Sequence, residues 1–290
     1  MGLGVSALQE NTSGVRNTGV GYQSLLNNTT GEDNNAFGYG SLGANTTGNY
    51  NVAFGGNAMF SNTTGTQNIA FGYKPLFTNT TGDYNLALGF EALYSNTTAD
   101  GNIGIGYRAL KFNTTGYANT GIGVNALLSN TTGIYNVAIG ENSLVANVIG
   151  MSNSAIGIDS LRSNTSGSGN VAVGLEALYS NTTADQNVGV GVKALFLNTT
   201  GSKNIGVGGS ALYSNTTGNQ NVGIGYVALA NNTTGSSNFG LGVNSLFTNT
   251  TGANNVGLGT DTLRYNTNGY NNIAIGTDAM QNNTEGYTNV

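Results

Sequence analysis

Titratable side chains that recur at one spacing are the first candidates for chemistry in this chain. Lys74, Glu91 and Arg108 stand 17 residues apart, and so do Glu176 and Lys193. Opposite charges in such a row can form exposed ion pairs contributing about 0.2 to 1 kcal/mol each, whereas Asp261 and Asp278 in the same row repel. Acid–base catalysis needs titratable groups converging in a confined site. No such pair recurs: the thirteen acids are scattered, and the chain has neither His nor Cys. The commonest general base and metal ligand is thus missing, as is any thiolate site or disulfide framework. No catalytic, cofactor or metal-binding residue is assigned, and the expectation is a protein that is not an enzyme.

A second set of candidates is formed by asparagines. Asn11, Asn28, Asn45, Asn62, Asn79, Asn96, Asn113, Asn130, Asn164, Asn181, Asn198, Asn215, Asn232 and Asn249 each open Asn-Thr-Thr or Asn-Thr-Ser, the acceptor pattern for N-glycosylation. Asn147, Asn266 and Asn283 fall in the same row and break the pattern. The competing reading is an amide ladder between stacked coils, with Thr hydroxyls capping backbone groups at a turn. The two exclude each other, because a fully stacked amide is not available for modification.

Aromatic residues form two further rows. Tyr22, Tyr39, Tyr73, Phe90 and Tyr107 share one repeat position, and Phe60, Phe77, Tyr94, Tyr179, Phe196, Tyr213 and Phe247 share another. Such rows could stack the sugars of a host glycan or receptor; the alternative is that they cover a thin core or pack against another chain. Paired Thr suggests ice binding only remotely, since the two are consecutive and followed by Gly rather than alternating along a strand.

The elements that must position these rows follow from one period. With Asn17 as position 1, Asn recurs every 17 residues up to Asn289 without insertion or deletion; Gly occupies position 5 and Asn position 12 in every copy. Repeats of this kind signal a solenoid or an array. Two Gly per repeat would each cost a helix about 0.8 to 1.0 kcal/mol relative to Ala, so the chain is read as an all-β protein. The expectation is a parallel β-solenoid, or β-roll, of 17 coils about 4.8 Å apart, forming one uninterrupted domain over residues 1–290.

Within the repeat, positions 2 and 4 are mostly bulky and apolar, as in Val52 and Phe54 or Ile69 and Phe71. Period-2 alternation puts them on one face, which is expected to be the core, with the Leu or Met of position 9 meeting it. Position 3 is Gly or Ala in every copy, leaving one strand face bald: either small residues avoid crowding near a corner, or another chain's coil packs closely there, as in a homotrimeric bundle. Gly at positions 5 and 15 suits corners that need positive φ or close backbone approach, and Asn tolerates the left-handed region better than most residues; Ala99 and Ala184 at position 15 imply that positive φ is not absolute at that corner. Pro75, at a position usually Ala, is expected in a bend.

Composition narrows the partners. The chain has 290 residues, 47 of them Gly, 38% hydrophobic and 7% charged, with a net charge of −5. Eight basic residues cannot neutralise a run of phosphates, so nucleic acid is excluded as a partner. No apolar run approaches the roughly 20 residues of a membrane span.

The segment "NVAIG" at 136–140, with its relatives throughout, resembles the short repeat of trimeric autotransporter adhesin heads. The longer phrase, Gly-Tyr-x-Ala-Leu followed by Asn-Thr-Thr-Gly, is similar to repeats of phage tail-fibre and related bacterial surface proteins. The resemblance implies a left-handed parallel β-roll, homotrimeric assembly, and an extracellular location on a cell surface, secreted filament or virion fibre. This repeat is a few residues longer than that of the adhesin heads. The expected function is a structural fibre or adhesin shaft that self-assembles as a homotrimer or end-to-end filament; the alternative is a carbohydrate- or receptor-binding module using the aromatic rows.

Overall fold

A computed structural model describes residues 1–290. The chain is all-β, with one short strand per repeat. It divides into two compact units, Met1–Ile149 and Gly150–Val290. The first holds nine strands, from β1 (Gly2–Leu3) and β2 (Thr18–Val20) to β9 (Val137–Ile139); the second holds eight, from β10 (Ser154–Ile156) to β17 (Ile273–Ile275). Each unit is a parallel β-solenoid. Within each unit, pairing follows the 17-residue step: Ile69 faces Leu86, Ala70 faces Ala87, and Phe71 faces Leu88.

The strands turn the opposite face inward from the one expected. Position 3 is the buried one: Ala36, Ala53, Ala70, Ala87, Ala138 and Ala172 are fully enclosed. Phe54, Ile69, Phe71, Ile139 and Ile156 at positions 2 and 4 are exposed. Space explains the inversion. Leu25, Leu42, Leu93 and their counterparts at position 9, all but Leu8 and Met280 fully buried, fill each coil from the opposite side. A methyl group added at Gly104 would lie 3.1 Å from the Leu93 Cγ and 3.3 Å from the Ala109 carbonyl oxygen. The coil interior therefore has room for one Cβ at position 3 and none for a branched side chain. The bald face, one candidate surface for another chain, is the lining of the roll.

The positive-φ positions also differ from expectation. Gly at position 5 has positive φ as expected, +132° at Gly106, where a Cβ would stand 2.5 Å from the Gly123 carbonyl oxygen. Gly at position 15 has ordinary φ but the expected close backbone approach, a Cβ at Gly65 standing 2.6 Å from the Gly82 carbonyl oxygen, and the further left-handed residues stand at positions 7, 9 and 17, as in Glu91, Leu93 and Tyr84. Every Leu or Met of position 9, from Leu8 at 55° to Met280 at 50°, adopts this conformation. An L-residue loses about 1 to 2 kcal/mol there, while burying a Leu side chain contributes about 1.5 to 3 kcal/mol. Core filling and the coil-to-coil bond from the Leu25 N–H to the Ser41 carbonyl (3.0 Å) offset the strain.

Between strands, the turn at positions 6–11 closes with an i to i−3 bond, as from the Ala58 N–H to the Gly55 carbonyl at 3.4 Å. Pro75, in that bend, lacks the N–H, but its carbonyl accepts from the Met59 N–H at 3.0 Å. The next corner converges on threonine: the N–H groups of Thr29, Thr30 and Gly31 all point at the Thr46 carbonyl, at 3.0, 3.2 and 3.2 Å, and the Thr29 hydroxyl donates to it at 3.0 Å.

Candidate functional site

Every sequon asparagine except Asn11 is buried inside the roll. The Asn96 amide nitrogen donates to the Asn79 Oδ1 at 2.9 Å and to the Ala99 carbonyl at 3.0 Å, while its own Oδ1 accepts from the Asn113 amide at 3.0 Å. The same unit repeats through Asn28, Asn45, Asn62, Asn79, Asn113 and Asn130, and in the second unit through Asn181, Asn198, Asn215, Asn232 and Asn249. Asn164 is also buried and donates to the Gly167 carbonyl. Asn11 is exposed, but it accepts from Asn28. Asn147, Asn266 and Asn283, which lack the sequon, join the ladder at 2.8, 2.7 and 3.1 Å. The amide is thus held where the acceptor pattern is not, so the ladder accounts for the row without any sugar.

A second ladder was not anticipated. Asn34 at position 1 accepts from both the backbone N–H and the amide nitrogen of Asn51, at 3.0 and 3.1 Å, and donates to the Gly48 carbonyl at 2.7 Å. The unbroken recurrence of position-1 Asn was the sequence signal for it; nothing in the residue type alone separates a register marker from a buried donor.

The aromatic rows turn their faces to one another. Tyr22 stacks on Tyr39 at 5.4 Å, Phe60 on Phe77 at 5.6 Å, and Phe77 on Tyr94 at 5.2 Å. Tyr73, Phe90 and Tyr107 form another stack, and Tyr179, Phe196 and Tyr213 a further one. Within a stack, edges and hydroxyls face outward rather than the π-faces on which a sugar would lie.

In the charged row, Glu91 lies 3.3 Å from Arg108 and 2.7 Å from Lys111, and Glu176 lies 3.4 Å from Lys193. Lys111 comes from the aromatic row at position 10, a partner that row-by-row reading did not supply. Its hydrogen bond, reinforced by Arg108, holds the Glu91 carboxyl below its usual range. Arg16 likewise lowers Asp33, with which it pairs at 2.6 Å. Lys74 makes no ion pair with Glu91; its ammonium lies 5.2 Å from the centre of the Tyr73 ring and 5.3 Å from that of Phe77.

What remains for a partner is the outer sheet face. Position 4 presents an aliphatic or phenyl side chain in every strand and position 2 in most, Thr18, Asn35, Thr120 and Ser154 being the polar exceptions, with Phe37 stacked on Phe54 at 4.2 Å and Phe54 on Phe71 at 5.0 Å. No protein-family model matches this chain, and no curated protein does. No helix is long and apolar enough to cross a membrane.

Proposed function

We propose that this protein is an extracellular structural fibre or adhesin-shaft segment whose copies associate side by side, as a homotrimer, through the outer face of the parallel sheet. One observation carries the reading: the bulky apolar side chains of positions 2 and 4 point out of the roll. At 3.3 Å per residue and 4.8 Å per strand, a face three residues wide and nine strands tall is about 10 by 43 Å, or about 400 Å². That matches the largest apolar patches found on monomeric proteins, which are commonly functional, and the second unit carries a face of the same kind. The trimeric arrangement is what the resemblance to adhesin heads implies. Self-association thus rests on the large residues beside position 3 rather than on the small ones of position 3 itself. The receptor-module reading is weaker, because the aromatic stacks present edges.

The test is the mass in solution of the chain and of a variant carrying Phe54→Thr, Ile69→Thr and Phe71→Thr, measured by sedimentation velocity. Thr already occupies this outer face at Thr18 and Thr120, so the variant keeps its strands. The expected result is a trimer for the parent chain and a lower mass for the variant. A parent chain that stays monomeric at high concentration refutes the proposal.

A further inference from the structure

One aromatic row contains a gap one ring wide. Position 6 of the first unit runs Tyr22, Tyr39, Gly56, Tyr73, Phe90, Tyr107. Tyr39 closes one stack and Tyr73 opens the next, so each has one ring face turned toward the coil of Gly56. Tyr39 is 57% and Tyr73 47% exposed. A Cβ built on Gly56 would meet only the Tyr73 ring edge, at 3.5 and 3.7 Å, and Gly56 has ordinary φ. The floor of the gap is therefore open, and a side chain could stand there without strain.

The width selects the occupant. Two coil steps span about 9.6 Å, so a ring midway would lie about 4.8 Å from each neighbour, inside the range of about 4.5 to 7 Å for offset-stacked rings. The rings on either side stack in this offset manner, Tyr22 on Tyr39 with planes 10° apart and Tyr73 on Phe90 with planes 23° apart. A flat aromatic ring continues that ladder; a puckered sugar ring is thicker. Charge adds a second selection. The Lys74 ammonium lies over the Tyr73 ring, 5.2 Å from its centre, and belongs to none of the ion pairs of the molecule. The geometry points to a binding site for a planar aromatic carboxylate, its ring between Tyr39 and Tyr73 above Gly56 and its carboxylate toward Lys74. This site lies in the row beyond the Gly corner, apart from the outer sheet face, and does not depend on how copies associate.

The test uses indole-3-acetate and neutral indole as probes of the full chain, followed by saturation-transfer NMR. Saturable binding of indole-3-acetate is expected, and Gly56→Tyr, which completes the row, abolishes it while circular dichroism stays unchanged. Lys74→Met weakens indole-3-acetate by about twofold to fivefold, the range of an exposed charge pair, and leaves indole unaffected. Absence of binding to the parent chain, or binding that survives Gly56→Tyr, overturns the site. An equal response of both probes to Lys74→Met overturns the preference for the anion.

Discussion

Replacing Asn96 with Ala tests whether the amide ladder holds the coils together. The substitution removes three hydrogen bonds: two donated by the Asn96 amide, at 2.9 and 3.0 Å, and one accepted from Asn113 at 3.0 Å. At a net value of about 1 kcal/mol each, and with the Asn79 Oδ1 left buried and unpaired, the loss is about 3 to 5 kcal/mol. The Ala99 carbonyl keeps its bond from Asn85 at 2.8 Å, and Asn113 keeps its bond to Gly116, so the larger end of that range is not reached through those groups. Asn96→Asp is more demanding. A carboxylate has no proton to donate to Asn79 or Ala99, and its buried charge lacks a cation, so its folded pKa is raised above the ordinary Asp value of about 3.9. A group with a raised folded pKa contributes its stability below the unfolded pKa and loses it as pH rises through the folded one. Relative to the parent chain, Asn96→Asp is thus least destabilised in acid and most at neutral pH. Urea unfolding followed by far-UV circular dichroism, at pH 3 and pH 7, measures both effects, with the exposed Thr98→Ala as a control expected within about 0.5 kcal/mol. A loss below about 1 kcal/mol for Asn96→Ala, or an Asn96→Asp penalty that does not change with pH, refutes the ladder as the main axial tie.

Two further perturbations separate roles that look alike in the sequence. Gly106→Ala combines a φ of +132° with a Cβ 2.5 Å from the Gly123 carbonyl oxygen and is expected to cost more than about 3 kcal/mol. At Gly65 a Cβ would also stand close, 2.5 Å from the Asn62 Oδ1 and 2.6 Å from the Gly82 carbonyl oxygen, but φ is ordinary and the coils of Ala99 and Ala184 accommodate a methyl at the equivalent position, so Gly65→Ala should cost less than Gly106→Ala by the same urea assay. The Glu91 carboxyl, lowered from 4.5 chiefly by its Lys111 hydrogen bond, stabilises the fold fully above that pH and loses its contribution as pH falls through the lowered folded value. Acid titrations of the parent chain and Glu91→Gln should therefore diverge above pH 4.5 and converge in stronger acid, as thermal melts across that window would record.

The period, the parallel pairing and the all-β class were legible because 17-residue spacing of Asn and Gly leaves few other folds. Which strand face points inward was not. Alternation tells that Ile69 and Phe71 share a face and Ala70 takes the other; it does not tell which face is inside. The usual assumption that the larger apolar residues are buried fails here, since Leu76 and Leu93 at position 9 and the two asparagine ladders already occupy the narrow roll. The left-handed corner was misplaced for a related reason. Asn tolerates positive φ best in isolation, but the fold requires Asn62 to aim its amide at Asn45, and Met59, earlier in the same coil, takes the left-handed conformation at 50° instead. The Lys111–Glu91 pair is not legible from rows, because its members stand 20 positions apart in successive coils rather than 17.

The uniform 17-residue register has a consequence for inheritance. In each unit, every strand pairs only with its neighbours and in the same offset, so removing or duplicating one whole repeat replaces a junction with another of the same kind. A shift by a single codon, by contrast, would bring Phe or Ile side chains into a space that admits only a methyl. A gene built this way can lengthen or shorten by unequal recombination in whole repeats and keep a foldable product, while smaller insertions are purged. Length becomes the trait on which selection can act most freely.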